Sequence, residues 1–215
     1  MMEILYQGHG SVRVTTASGI VLFLDPCAGD GYDVPADVVL ITHQHCDHNQ
    51  VQLVTIKDDA EIFSPSSMLR YGEYQSVQIK GINVTAVPAY NRNHPKEECV
   101  GYVVNADGIR IYFAGDTSRI HEMKNLKELE MHYAFFPGDG YYNMDVTEAE
   151  SCADDVGAKY SVPIHLMPYH GQQGALFSEE KASRFRPKGA LILRPGHKIV
   201  TRKSADGVEH DIIDA

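Results

Sequence analysis

The order of segments along the chain predicts an α/β fold built of two β-sheets with helices on the outside. Three observations carry this. The first third consists of short β-prone runs; the run DVVLIT (Asp37–Thr42) is nearly continuous and apolar, as in a strand buried on both faces; and helix-prone stretches return to strand-like ones twice. With 215 residues and an ordinary apolar share of 43%, the chain suits a single domain over 1–215.

MEILYQG, SVRVTT and IVLFLD read as a meander, with a turn at Ser18–Gly19, and a Gly/Asp/Pro loop from Pro26 to Pro35 leads into DVVLIT. Asn49–Lys57 predicts a short helix, AEIFS a strand and SSMLRYGE a further helix. QSVQI, INVTAVPAY, VGYVVNA and IRIYFAG form a second, antiparallel group, with a hairpin turn at Asp107–Gly108. SRIHEMKNLKEL has the pattern of an amphipathic helix, and HYAFFPG that of a strand. Thr147 and Glu150 have the spacing of a capping box. YSVPIH, ALILRP and HKIVTR predict strands, with SEEKASRF as a short helix.

A net charge of −10 argues against a broad nucleic-acid surface, which needs a Lys/Arg excess. No run of about 18 apolar residues suggests a membrane span, and the start lacks a basic stretch before an apolar one, so a cytoplasmic location is expected. Four scattered cysteines without a CxxC pair suit reduced thiols. The eleven histidines are the clue to chemistry.

Directly after DVVLI comes THQHCDH, with His43, His45, Asp47 and His48. At a strand exit His43 and His45 can project to one side, and the following turn can carry Asp47 and His48 toward the same point. Imidazoles and a carboxylate suit zinc or another first-row divalent ion, whereas four such groups merely solvated behind a buried strand would be unusual. Asp116 in AGDT, taken alone, reads as a turn or helix cap. His165, ending SVPI, is by itself equally a core histidine or a ligand. Cys46, between ligand positions, suits packing better than catalysis.

Together YQGHGSVRV, LFLDP, THQHCDH, IYFAGDT, PGDGYYNMDVTEA and VPIHLMP resemble, in order and over nearly the whole chain, the metallo-β-lactamase superfamily of metal-dependent hydrolases. The likeness is greatest to small single-domain members related to L-ascorbate-6-phosphate lactonase. The resemblance implies an αββα sandwich with the site at the rim between the sheets. It implies that Asp25 orients the metal-binding loop, that Asp116 bridges two metals and that His165 is the last ligand. One ion would lie on His43, His45 and a further histidine, the other on Asp47, His48 and His165. Two divalent ions about 3.5–4 Å apart can share and acidify a water, making hydroxide the nucleophile. Asp47 is the candidate for proton transfer.

The chain departs from the family where a histidine normally follows the strand INVTAVPA: here stand Tyr90 and Asn91. His94, in AYNRNHPKEE, is the candidate replacement, and a single-metal site stays open. His9 in GHGS is either a turn residue or an orienting or substrate-facing group, and Asp139 in PGDG either a turn residue or part of the site rim.

The expectation is a metal-dependent hydrolase with one or two divalent ions, zinc first and Mn or Fe next, acting on a small ester, lactone or phosphorylated substrate. The alternative is a non-catalytic metal-binding or ligand-sensing module on the same fold. RNA processing would call for added domains, oxygen or nitric oxide reduction for a carboxylate at position 45 and a flavin domain, and a β-lactamase for export. Oligomeric state has no sequence signal here.

Overall fold

The computed structural model describes residues 1–171, 174–204 and 207–215. The chain opens with β1 (Glu3–Gly8), β2 (Ser11–Thr15), β3 (Val21–Leu24), β4 (Ala36–Leu40) and β5 (Ile56–Phe63). A one-turn α1 (Pro65–Met68) and a small hairpin, β6 (Leu69–Arg70) with β7 (Glu73–Tyr74), lead into the second group. That group is β8 (Ser76–Ile79), β9 (Ile82–Pro88), β10 (Val100–Ala106), β11 (Ile109–Phe113) and β12 (Tyr133–Pro137), followed by α2 (Val146–Val156) and β13 (Tyr160–Ile164). After α3 (Glu179–Arg184), β14 (His197–Ser204) and β15 (Gly207–Asp214) return to the first sheet.

The two sheets run β15-β14-β1-β2-β3-β4-β5 and β13-β12-β11-β10-β9-β8. Their inner faces meet in one apolar core, where Ile4, Val12, Leu22 and Val38 of the first sheet pack with Val84, Tyr102, Ile111, Phe135 and Val162 of the second. Every residue of β4 is buried, as its unbroken apolar run predicts. Removing a large side chain such as Phe135 from this layer would cost about 3–5 kcal/mol. Behind the second sheet, Tyr112, Ala134 and Phe136 are covered by Met123 and Leu126 and by the α2 residues Ala149, Cys152 and Val156. This is the sandwich the sequence predicts.

The outer face of the first sheet differs from that expectation. Phe23, Val39 and Ile41 are covered by Tyr32 and Val34 of the Pro26–Pro35 loop and by Val51 and Val54. Asn49–Lys57 forms only a 3-10 turn at Val51–Leu53, because the chain must reach the start of β5 at Ile56. His121–Leu129 is likewise a 3-10 helix, its end fixed by Glu130 in a left-handed conformation. In SSMLRYGE the helix ends at Met68 and the rest is the β6–β7 hairpin. α2 is capped two residues earlier than Thr147: Asp145 accepts a hydrogen bond from the Glu148 amide at 2.8 Å. ALILRP is no strand and makes a single bridge, Ala190 with Ser161; β15, by contrast, was not apparent from sequence.

Strand direction positions the site. β3–β4 and β11–β12–β13 are parallel pairs, while β1 and β3 flank β2, and β9 and β11 flank β10, in antiparallel pairs. The C-terminal ends of β1, β3, β4, β9, β11, β12 and β13 therefore all reach one rim of the sandwich, the place where α/β sheets usually gather ligand-binding groups.

Candidate metal centre

Each predicted site residue lies just beyond one of those strand ends: His9 after β1, Asp25 after β3, His43 to His48 after β4, His94 after β9, Asp116 after β11, Asp139 after β12 and His165 after β13. Three of them leave the strand in a left-handed conformation, His9 (φ 50°), Asp25 (φ 45°) and His165 (φ 47°). For non-glycine residues that costs on the order of 1–3 kcal/mol each and persists only where the surroundings enforce it. The two sheets are stitched together here: the His165 amide donates to the His9 carbonyl at 2.8 Å, and Val100 to the Thr42 carbonyl at 2.9 Å. Gly10 lacks the side chain that would press on His48, since a Cβ there would stand 3.2 Å from Cε1 of the ring.

The side chains form two sets. One donor atom each from His43, His45 and His94 lie within 4.8 Å of one another, and the same holds for His9, Asp47, His48 and His165. Asp116 stands between the sets: Oδ2 is 3.3 Å from His94 Nε2 and 3.5 Å from His165 Nε2, and Oδ1 is 3.4 Å from His48 Nε2. Asp47 Oδ2 is 3.2 Å from His9 Nε2 and 3.6 Å from His165 Nε2. Apart from half-buried Asp47 and exposed His45, all of these groups are buried.

Behind them lies a layer of supports. Asp25 accepts from the Thr42 amide at 2.7 Å and the Thr42 hydroxyl at 2.6 Å, and lies 2.7 Å from His48 Nδ1. Because the Thr42 hydroxyl donates to Asp25, the 3.0 Å contact with His43 Nδ1 makes the ring N–H the donor, so Nε2 of His43 carries the lone pair facing the cluster. Asp25 thus orients His48 directly and His43 through Thr42. With its oxygens so occupied it suits orientation better than ligation. Asp139 Oδ2 stands 3.1 Å from His165 Nδ1, while Oδ1 accepts the amides of Tyr141 and Tyr142 at 2.6 and 2.7 Å.

The segment after β9 folds back as the departure from the family pattern requires. Asn91 and His94 pair in a tight bridge through both of their amides, and Asn91 Oδ1 is 3.0 Å from His94 Nδ1. Asn91 is therefore a support for His94. Its role and that of Thr42 were missed in the sequence because each depends on a backbone reversal or tertiary contact; the only local hint was an amide three residues before the histidine. Cys46 corrects the packing expectation: it is exposed and, with Tyr142 and Tyr169, lines the cavity above the cluster.

Do these residues suit divalent cations? Nε2 of His48 and both ring nitrogens of His165 are buried without a hydrogen-bond partner, although Nδ1 of each ring stands within 3.1 Å of a carboxylate. Buried ring nitrogens aimed at one point, with neighbouring carboxylates, form the donor set of zinc and related ions. Charge separates the two sets. Burial, reinforced by His48, drives the His43 pKa down to about 2, and burial lowers that of His94. Burial would also lower His165, but Asp116, Asp139 and Asp47 outweigh it and raise the ring to about 10. His48 is likewise raised against burial by Asp116 and Asp25. Asp116 is held well below the usual carboxylate range, His165 and His48 overcoming the penalty of its burial.

Comparison with known proteins identifies the family. Residues 3–165 match the family described as Beta-lactamase superfamily domain. A UPF0173 metal-dependent hydrolase of Methanocorpusculum labreanum is 31% identical over 78% of this chain and 84% of its own. The crystal structure of a candidate metal-dependent hydrolase from Parabacteroides distasonis superposes with a TM-score of 0.70 at 30% identity, covering 88% of this chain and 91% of that one. Igni18, a metallo hydrolase of Ignicoccus hospitalis, shares the fold with a TM-score of 0.70 at 22% identity, over 92% of this chain and 97% of its own.

Proposed function

The chain belongs to the β-lactamase superfamily and is a metal-dependent hydrolase, and from that premise we propose that it cleaves a small ester, lactone or phosphorylated compound at a site built for two divalent ions, zinc foremost and Mn or Fe as alternatives. The observation that carries this reading is Asp116, whose carboxylate touches His94 of one set and both His48 and His165 of the other. His43, His45 and His94 would hold one ion, Asp47, His48 and His165 the second, with Asp116 shared. Bound there, divalent ions acidify water and polarise the scissile group.

The chain's own residues supply position and proton transfer. Asp47 is the most open carboxylate of the cluster, faces the cavity lined by Asn93, Tyr142 and Tyr169, and is steadied by His9 Nε2 at 3.2 Å. In this reading Asp47 takes the proton of the attacking water and returns it to the leaving group. Asp25 and Asp139 fix the ring orientations of His48 and His165, and Asn91 that of His94. No Ser or Cys nucleophile is required. Four thiols outside any disulfide suit a reducing compartment, which supports a cytoplasmic enzyme with a small-molecule substrate. Among the described residues no helix is long and apolar enough to cross a membrane.

The test is a panel of esters, lactones and phosphodiesters offered to the metal-loaded protein. Turnover that disappears on chelation and returns with zinc is expected. A fully loaded protein that turns over none of them would favour the ligand-sensing alternative.

A further inference from the structure

Two cavities open on the cluster and share His45. One, of about 370 Å³, lies against Pro65, Leu69 and Pro95 with Glu97 and Glu98 at its edge; the other, of about 320 Å³, is faced by Asn93, Tyr142 and Tyr169. Among the described residues lining them none is lysine or arginine, in a chain that has 19. Neighbouring cations are engaged elsewhere: Lys96 pairs with Glu122 at 2.9 Å, and Lys181 donates to the Asp139 carbonyl. Arg92 is exposed and lines neither cavity. Glu97 and Glu98 are exposed, and no ion pair among the described residues engages them.

A phosphate or carboxylate remote from the reacting bond is normally held by guanidinium or ammonium groups. Charge supplied by bound metal would serve the atoms of the scissile bond, leaving a remote anion with two glutamates and, among the described lining residues, no lysine or arginine. We propose that this site selects uncharged or cationic carboxylic esters and lactones, with the apolar part against Pro65, Leu69 and Pro95 and with Glu97 and Glu98 discriminating against anions. The selectivity rests on the hydrolytic reading above and narrows it away from phosphorylated substrates. In the reaction, water adds to the carbonyl carbon, the bond to the leaving oxygen breaks, and the water's proton passes to that oxygen, giving acid and alcohol.

The test uses esters of one alcohol whose acyl chains end in methyl, trimethylammonium, carboxylate or phosphate, with the matching non-hydrolysable ethers as binding probes for the zinc-loaded protein. The two anionic esters should fall about tenfold or more below the methyl ester in kcat/KM, with the trimethylammonium ester at or above it. The ethers should bind in the same order by calorimetry. In E97Q/E98Q the ratio of cationic to anionic kcat/KM should shrink, and E97Q and E98Q singly carry this arm should the double variant not fold. Anionic ethers binding as tightly as the methyl ether, or a ratio unchanged in every variant, would overturn the proposal. Ethers binding in the expected order without turnover of any ester would instead overturn the hydrolytic reading and leave the selectivity standing.

Discussion

The histidine set and the carboxylate set sit side by side at one rim, yet the protein treats them in opposite ways. His43 and His94 have lowered pKa values, and exposed His45 opens their set to solvent beside the Pro65–Leu69–Pro95 cavity. Across Asp116, His48 and His165 are buried against carboxylates that raise their pKa values. The difference teaches that a carboxylate behind an imidazole has two effects. It strengthens the ring as a ligand, and without metal it holds a proton that a cation must displace.

The comparison breaks most severely at Asp116, because both sets touch it. Asp116→Ala should deplete metal from both and lower turnover by at least about a hundredfold, checked by elemental analysis beside hydrolysis. Unchanged loading would remove Asp116 from its place between the sets. Next come the sets singly. His94→Ala is expected to lose about one equivalent of metal while Asp47, His48 and His165 keep the other, and His165→Ala should show the reverse dependence.

Smaller effects separate the supports. Asp25→Asn should weaken metal binding about 10–100-fold and affect both sets, since Asp25 reaches His48 directly and His43 through Thr42. Asn91→Ala should weaken only the histidine set, toward the lower end of that range, because it turns His94 without bearing charge. Competition with a chelator of known affinity measures both.

The smallest and sharpest difference is in protons. At pH 7 a ring raised to about 10 is protonated and one lowered to about 2 is neutral. Zinc entering the carboxylate set should therefore release protons and bind more tightly as pH rises, whereas entry at the histidine set, where the His43 and His94 pKa values are lowered, should release fewer. Calorimetry in two buffers of different ionisation enthalpy, using His94→Ala and His165→Ala to isolate the sets, reads the two values. Equal release from both would contradict the assignment of charge.

The sequence disclosed each set only in part. His43, His45, Asp47 and His48 were legible because a single strand exit delivers all four, so local spacing suffices. Asp116 and His165 became legible only through the order of motifs along the chain, since each alone could be a cap or a core histidine. His94 was reached by its offset from the usual position, but the reversal that brings it back depends on its bridge with Asn91, and the positive φ values of His9, Asp25 and His165 on packing between the sheets. In the fold, β4 was plain from its apolar run. The 3-10 form of His121–Leu129 and the loop cover over Phe23 and Val39 were not, because both follow from tertiary packing.

The most direct measurement is anomalous diffraction from crystals of the zinc-loaded protein. Two peaks are predicted, one ligated by His43, His45 and His94 and the other by Asp47, His48 and His165, with Asp116 in contact with both. A single peak, or two fully ligated ions with His94 turned away from them, would contradict the account.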